Sequence, residues 1–231
     1  MPANEIEIEN LNIQEKVNHL RNIGQNDKNE FDNSFDLLKI LSDDTDDEVR
    51  WTVAEILFNY DDLDAEKILM KLLADRNELV RICACESLSN GQTRESFILL
   101  RERFIKDKSS LVRGYAAGSM VEIAKRDSSI PDRKLIPFLE KRLKSEKNQG
   151  VKIRIYEALF NFGEEQYLNL LLNEINNRNY ENRCVIVNLI KDVISDTNKN
   201  ELLAILKKRL LIEKTIAVRS LIEGILNDYN S

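Results

Sequence analysis

Apolar residues recur along this chain with helical spacing, in pairs of stretches separated by short polar turns. One stretch carries Ile68, Leu69, Leu72 and Leu73, which occupy the i, i+3 and i+4 positions of a single helix face. A polar turn follows at residues 75–77, and the next apolar stretch begins at residue 80. The same succession repeats to the end of the chain, so the pattern predicts an all-α protein built from paired helices.

The second stretch of each pair begins with a recognisable motif that returns six times. VRWTVAEIL at Val49–Leu57 matches VRICACESL at Val80–Leu88 and VKIRIYEAL at Val151–Leu159. The basic residues that mark the six copies are Arg50, Arg81, Arg113, Lys152, Arg183 and Arg219. They are separated by 31, 32, 39, 31 and 36 positions. A period of this length indicates stacked helical repeats.

Two further columns keep the same register. Six positions before the basic residues stand Asp44, Asp75, Asp107, Glu146, Asn177 and Glu213. Thirteen positions before them stand Leu37, Ile68, Leu100, Leu139, Leu170 and Leu206. Acids at a helix start satisfy free backbone N–H groups, and a basic residue once per unit can bridge to the acid of its neighbour. We therefore assign both charged columns to stability rather than to a catalytic or phosphate site.

This motif resembles the HEAT repeat, in particular the short variant named after phycobilisome lyases. That family has an Asp in the turn and an Arg six residues later, and the resemblance covers residues 30–229. Of the Pro that family units often carry in the first helix, Pro137 is the one match. The resemblance implies a right-handed α-solenoid of about six helix pairs, whose second helices line a concave surface.

Around these repeats we expect an acidic, flexible tail at residues 1–11 and one continuous solenoid over residues 12–231. Residues 13–24 form a helix that covers the first unit, and insertions at residues 125–132 and 195–200 lengthen two connections. Ser128 or Ser129 with Pro131 predicts a loop that leads into a new helix. Gly91 and Gly163 stand where second helices should end, which predicts left-handed cap residues.

Composition narrows the class of partner. The formal net charge of −6 disfavours nucleic-acid binding, which needs a basic surface, and suits a basic protein. Three cysteines in no framework spacing indicate reduced thiols and a cytoplasmic location. The chain has neither a secretory signal nor an apolar run long enough to span a membrane. We expect a monomer rather than an obligate oligomer.

Catalytic chemistry finds little support in the sequence. His19 is the only histidine, although most triads and zinc sites require one. Cys83 and Cys85 would point in different directions from a helix, and Cys85 occupies a small core position. Neither a phosphate-binding loop, a dinucleotide fingerprint nor a metal motif occurs. We therefore expect no enzyme activity, no cofactor and no metal.

The candidate site is the outward face of the second helices. At about 100° per residue, positions +1, +2, +5 and +9 from the basic residue should point away from the core. This face combines an acidic ridge with exposed aromatic and aliphatic residues, and it includes Thr52 and Asp228. The candidate protein-binding residues are Trp51, Glu55, Ile82, Glu86, Tyr115, Glu122, Ile153, Arg154, Glu157 and Asp192. The alternative is a solvated face, with Trp51 packed against its neighbour.

These features predict a non-enzymatic module that binds a basic protein segment on an acidic concave face. It could be an adaptor, or a bacterial immunity protein that neutralises a toxin. A phycobilin-lyase-like chaperone or enzyme and a HEAT-like nucleic-acid binder are further alternatives. The lyase alternative requires a tetrapyrrole pocket and the nucleic-acid binder a basic face, and the sequence indicates neither.

Overall fold

The computed structural model of the protein describes residues 11–25, 28–59, 62–127, 129–130 and 132–230. The described residues form thirteen α-helices and no strand, which confirms the all-α prediction. The helices are α1 (Ile13–Gln25), α2 (Lys28–Leu41), α3 (Asp47–Ile56), α4 (Leu63–Leu72), α5 (Glu78–Ser87), α6 (Arg94–Lys106), α7 (Ser110–Arg126), α8 (Asp132–Ser145), α9 (Gln149–Asn161), α10 (Gln166–Asn173), α11 (Tyr180–Val193), α12 (Lys199–Ile212) and α13 (Ile216–Asn230). Short 3-10 turns extend α3, α5 and α10.

Helices α2 to α13 follow one another as six pairs, with α1 in front of them. The expected helix at residues 13–24 is thus confirmed as α1. The predicted tail lies outside the described residues except for its last position. So do Ser128 and Pro131 of the first insertion.

In five of the six pairs the second helix begins at a polar capping residue whose side chain accepts a backbone N–H of the first turn. In α3 the cap is Asp46, which accepts the N–H of Glu48 at 2.8 Å. In α5 it is Asn77, which accepts the N–H of Leu79 at 2.7 Å. Ser109, Asn148 and Asn179 do the same for α7, α9 and α11. These caps set the starting points of the five helices.

The chain divides into two compact units, residues 1–142 and residues 143–231, and the boundary falls within α8. In unit 1 the second helices pack side by side, with α1 against α3, α3 against α5 and α5 against α7. Its fully buried side chains include Leu57, Leu88, Leu100, Phe104 and Met120. Helices α3 and α5 are therefore covered on both flanks.

Unit 2 has its own core, in which α11 packs against α13 and α12 against α13. Leu171, Ile186, Leu206, Val218 and Ile222 are fully buried there. Tyr156 stacks on Tyr167 with ring centres 5.8 Å apart, which closes α9 onto α10. These layers hold the exposed face of α11 in place.

The two glycines expected to end helices differ in conformation. Gly163 has a φ of +88°, so the prediction of a left-handed residue after α9 is confirmed. For Gly91 the prediction is wrong, because φ is −54° and ψ is 142°. A Cβ at Gly91 would lie 3.0 Å from the carbonyl oxygen of Leu88 and 3.1 Å from a carboxylate oxygen of Glu66. Close approach to Glu66 explains the glycine.

Candidate protein-interaction surface

The repeated arginines and acids form a series of buried ion pairs between consecutive repeats, which we call the ladder. Arg50 donates from Nε and Nη2 to both carboxylate oxygens of Asp75, at 2.7 and 3.0 Å. Arg81 holds Asp107 in the same way, at 2.9 and 3.0 Å. In unit 2 the corresponding pair is Arg183 with Glu213, at 2.7 and 2.8 Å. The structural role predicted for these columns is confirmed at these three pairs.

Each of these three arginines also donates hydrogen bonds to backbone carbonyl oxygens in the turn of its own repeat. Nη1 of Arg81 donates to the carbonyl oxygens of Asp75 and Arg76, at 2.9 and 3.3 Å. The acid in turn accepts the N–H of the next capping residue, as Asp75 does from Asn77 at 2.7 Å. The guanidinium and the carboxylate are thus satisfied by the scaffold, which leaves them no role in binding a ligand.

The first acid of the ladder has a partner that the repeat alignment missed. Asp44 accepts a hydrogen bond from Nζ of Lys16 at 2.8 Å. Lys16 is the fourth residue of α1, as Arg50 is the fourth of α3 and Arg81 the fourth of α5. Helix α1 therefore occupies the place of a second helix. A search at spacings of 31 to 39 residues before Arg50 would have found Lys16, although the surrounding sequence does not match.

The exposed acids of the candidate face lie side by side in unit 1. Glu55 on α3 and Glu86 on α5 are both exposed, and no cation in the described part of the chain forms an ion pair with either. Burial raises the pKa of the Cys83 thiol, and the charges of Glu55 and Glu86 raise it further, to about 11. Both carboxylates are therefore near enough to Cys83 to disfavour its thiolate form.

Two aromatic residues accompany these acids. Trp51 and Tyr115 are half-buried, so each has one part packed in the fold and another part at the surface. Trp51 is one turn before Glu55 on α3. Glu122 is also on this side, where it forms an ion pair with Lys125 at 3.0 Å. We call the surface formed by Trp51, Glu55, Glu86, Tyr115 and Glu122 the unit 1 acidic face.

In unit 2, as in unit 1, one candidate acid of the second helices forms an ion pair. Arg154 donates to Glu157 at 2.9 Å, one turn along α9, and both side chains are half-buried. Asp192 on α11 and Asp228 on α13 are exposed. Each compact unit therefore combines one paired acid, Glu122 or Glu157, with exposed acids on its second helices.

The structure contradicts the predicted exposure of the aliphatic residues. Ile82 is 9% exposed and Ile153 is 1% exposed, so neither offers a surface anchor. Thr52 is buried as well, and its hydroxyl donates to the carbonyl oxygen of Glu48 at 2.7 Å. Helical geometry gives the direction of these side chains but does not show that a neighbouring helix covers the flank. Within the face, most residues at positions +5 and +9 are exposed, although Glu122 and Glu157 are half-buried.

The three cysteines of the chain are free thiols. Burial raises the pKa of the Cys83, Cys85 and Cys184 thiols, so they are protonated at neutral pH. Among the residues that the structure describes, no cluster of His, Cys, Asp and Glu could hold a metal ion. His19 is exposed on α1. Across the same residues, none of the helices has the length and apolarity needed to cross a bilayer.

Comparison with known proteins supports the repeat assignment. A family model described as HEAT repeats matches residues 36–121. No curated protein sequence matches the chain.

Solved structures with similar folds share little sequence with this chain. The Escherichia coli YibA protein superposes with a TM-score of 0.54 at 18% identity, over 90% of this chain and 72% of its own. A complex of CpcE and CpcF of phycocyanin lyase from a Nostoc species gives a TM-score of 0.47 at 16% identity, over 84% of this chain and 93% of its own. Residues 36–121 thus resemble HEAT repeats, and the chain has a helical-repeat fold.

Proposed function

We propose that this chain is a non-enzymatic protein-binding module and that the unit 1 acidic face binds a basic segment of its partner. The observation that carries the proposal is the position of Glu55 and Glu86. They come from consecutive repeats, both are exposed, and their charges act together on Cys83. Two unpaired carboxylates on adjacent helices attract a chain segment that carries Lys or Arg.

The aromatic residues give this face a means of holding a partner as well as attracting it. Trp and Tyr are enriched among the residues that contribute most to protein interfaces. Trp51 and Tyr115 are half-buried, so their rings are positioned by the fold before a partner arrives. Opposite charge speeds association, whereas packing of apolar groups slows dissociation. The face combines both kinds of residue.

A binding role also fits what helical repeats provide. Stacked helix pairs present extended surfaces on rigid elements, and their neighbours hold those surfaces in place. An adaptor and a toxin-neutralising immunity protein would use the same face on different basic partners. Inhibition of a nuclease toxin by the purified protein would favour the immunity role.

Trp51 offers a direct test because it is the only tryptophan of the chain. We expect a peptide that alternates lysine and leucine to change Trp51 fluorescence on titration. The apparent affinity should fall as salt rises, because screening weakens the attraction. In a Glu55→Lys, Glu86→Lys variant we expect the affinity to fall by about tenfold or more.

The matched control is an Asp196→Lys, Glu201→Lys variant, which changes the net charge equally at two exposed positions of unit 2. It should bind as tightly as the parent. Equal weakening by both double variants would mean that the peptide senses only net charge, and the proposal would then be wrong. Thermal melting should show that both variants are folded.

A further inference from the structure

A second surface of unit 1 has the opposite character from the acidic face. A cleft of about 340 Å³ lies between α6 and α8, the first helices of consecutive pairs. The insertion between the third and fourth repeats supplies one wall through Ser129 and Ile130. The extra residues that lengthen the repeat period to 39 thus contribute directly to the cleft.

The floor of the cleft is apolar. Phe97 and Ile98 come from α6, and Leu135 and Phe138 from α8. Ile98 is 53% exposed, although it is a large aliphatic residue in an ordered helix. Phe138 is held edge-on against the buried Phe104, with ring centres 5.9 Å apart. An exposed apolar group on a rigid support, surrounded by charge, is a common feature of interaction sites.

The rim of the cleft is basic. Arg94, Arg101 and Lys134 line it, and all three are exposed. The guanidinium carbon of Arg101 lies 4.5 Å from the centre of the Phe138 ring, so the arginine is stacked on the aromatic floor. A guanidinium stacked in this way keeps its N–H groups available in its own plane, where they can bind a carboxylate. Three cations around one apolar cleft stand out in a chain whose net charge is −6.

The acid Asp127 lies near this rim. Hydrogen bonds from Ser129 hold the pKa of Asp127 below its ordinary value, and the charge of Arg94 lowers it further. Asp127 thus offsets part of the charge of Arg94, while Arg101 and Lys134 lie on the other sides of the cleft. The residues that line the cleft carry three positive charges and no negative one.

We propose that this cleft binds an acidic peptide segment that carries an aromatic or aliphatic side chain. The apolar side chain would enter between Ile98 and Phe138, and flanking carboxylates would bind the three cations. The volume is at the lower end of the range for ligand pockets, which suits one or two side chains better than a large ligand. Arginine clusters are a recurring means of recognising acidic motifs.

We choose a peptide over a nucleic acid because of how the positive charges are distributed. Nucleic-acid binding requires an extended basic surface along the phosphate backbone. Here the cations surround a small apolar cleft, and the acid Asp127 stands beside one of them. A short segment with alternating acidic and apolar residues matches this arrangement better.

Fluorescence anisotropy on the full chain tests this proposal. The probe is a fluorescein-labelled peptide of about ten residues in which one phenylalanine is flanked by glutamates. We expect saturable binding that weakens with salt. The Kd should rise by about tenfold or more when the peptide phenylalanine is replaced by alanine, because the apolar anchor is then lost. Replacement of the glutamates by glutamines should weaken binding by a similar factor.

The protein variants are an Arg94→Glu, Lys134→Glu double variant and, separately, Ile98→Ser. Each should raise the Kd by about tenfold. The control Lys208→Glu is at an exposed position of α12 and should leave the Kd unchanged. Ile98→Ser leaves the net charge unchanged, and its exposed position leaves the core intact. It therefore gives a second answer if the charge reversal lowers stability.

Either of two results would overturn the proposal. One is the absence of saturable binding by the parent at peptide concentrations up to about 1 mM. The other is equal affinity of the parent, the double variant and Ile98→Ser. Trp51 fluorescence should be unaffected by the acidic peptide, since Trp51 is outside the cleft, so this site and the unit 1 acidic face can be tested separately.

Discussion

At the scale of the residue, the ladder arginines show how a buried charge is fully satisfied. Arg81 is 4% exposed and binds two carbonyl oxygens of its own turn and both oxygens of Asp107. Removal of one partner from such a pair leaves the other charge buried without compensation. The cost of breaking the pair therefore exceeds the small net stability that forming it contributes.

We expect Arg81→Ala to lower the free energy of unfolding by about 3 kcal/mol, because Asp107 and two turn carbonyls lose their donors. Urea denaturation followed by circular dichroism measures the difference. Lys108→Ala, at an exposed position of the neighbouring turn, should change stability by less than about 0.5 kcal/mol. Basic-peptide binding at the unit 1 acidic face should survive Arg81→Ala under conditions where the variant is folded. A fully stable Arg81→Ala variant that no longer binds would assign this arginine to the binding site instead.

The ladder acids should make stability depend on pH. Burial alone would raise the pKa of Asp107, but hydrogen bonds from Arg81 and from the N–H of Ser109 outweigh it and hold the pKa below its ordinary value. A carboxyl whose pKa is lower in the folded state stabilises the fold at pH values above its unfolded pKa, which is about 4. That contribution is lost as pH falls from about 5 through the folded pKa. Asp75 and Glu213 behave in the same way.

We therefore expect the free energy of unfolding to fall steeply as pH is lowered from about 5 to 3, because several ladder acids take up protons on unfolding. Asp107→Asn should reduce this slope and should also be less stable than the parent at pH 7. Denaturation curves at pH 7, 5, 4 and 3 would measure both effects. An unchanged slope in Asp107→Asn would show that its protonation does not contribute.

Sequence reasoning identified the ladder but not the flanks of the second helices. The acid and base columns could be predicted because each repeats in register and has a local role at a helix start. Ile82 and Ile153 could not be assigned correctly, because their burial depends on the helix beside them rather than on their own helix. The sequence of a single helix contains no record of the distance to its neighbour.

At the scale of the element, a buried carboxylate joins α4 to the beginning of α6. Glu66 is 5% exposed and accepts the N–H groups of Gln92 and Thr93, each at 3.1 Å. It also accepts the hydroxyls of Thr93, at 2.5 Å, and of Ser96. Burial would raise the pKa of Glu66, but these hydrogen bonds outweigh it and lower the pKa. Through Glu66, the first helix of one repeat (α4) fixes the position at which the first helix of the next repeat (α6) begins.

We expect Glu66→Gln to lower the free energy of unfolding by about 1–3 kcal/mol, because the amide presents an N–H₂ group to donors that need acceptors. The control Glu95→Gln removes one charge from an exposed position in the first turn of α6 and should have a much smaller effect. Hydrogen exchange of the amides at residues 92–96 would show whether the start of α6 loosens. Full protection there in Glu66→Gln would contradict this role.

The Glu66 cluster could not have been predicted from sequence, for a physical reason. A glutamate in the first turn of an amphipathic helix is an ordinary surface residue by every local criterion. Glu66 is buried because residues 91–93 pass over the N-terminal end of α4, which brings Gly91 and Thr93 next to it. Gly91 is the one sequence signal for this cluster, but a glycine at this position is also typical of a helix end.

At the scale of the whole molecule, the repeat period predicted the number, order and starting points of the helix pairs. It did so because each pair buries its apolar side on the next one, so the same pattern must return in every unit. The repeat period could not predict the cleft between α6 and α8, because the cleft lies at the insertion that interrupts the period. Regular parts of such a chain are predictable from their repetition, and irregular parts require coordinates.

The ladder has one further consequence, which concerns how a chain of this kind can change in length. Arg50 and Arg81 donate through Nη1 to equivalent carbonyl oxygens of their own turns and are 31 residues apart. A deletion of residues 50–80 would join Val49 to Arg81, which would then take over the Asp44 turn and still face Asp107. Loss of this period leaves Asp44 opposite Lys16 and Asp107 opposite a guanidinium, whereas a shorter deletion that removes only Arg50 or only Asp75 leaves the other charge without its partner. The pairing of one acid and one base per repeat therefore favours evolutionary gain or loss of whole repeats over shorter insertions and deletions.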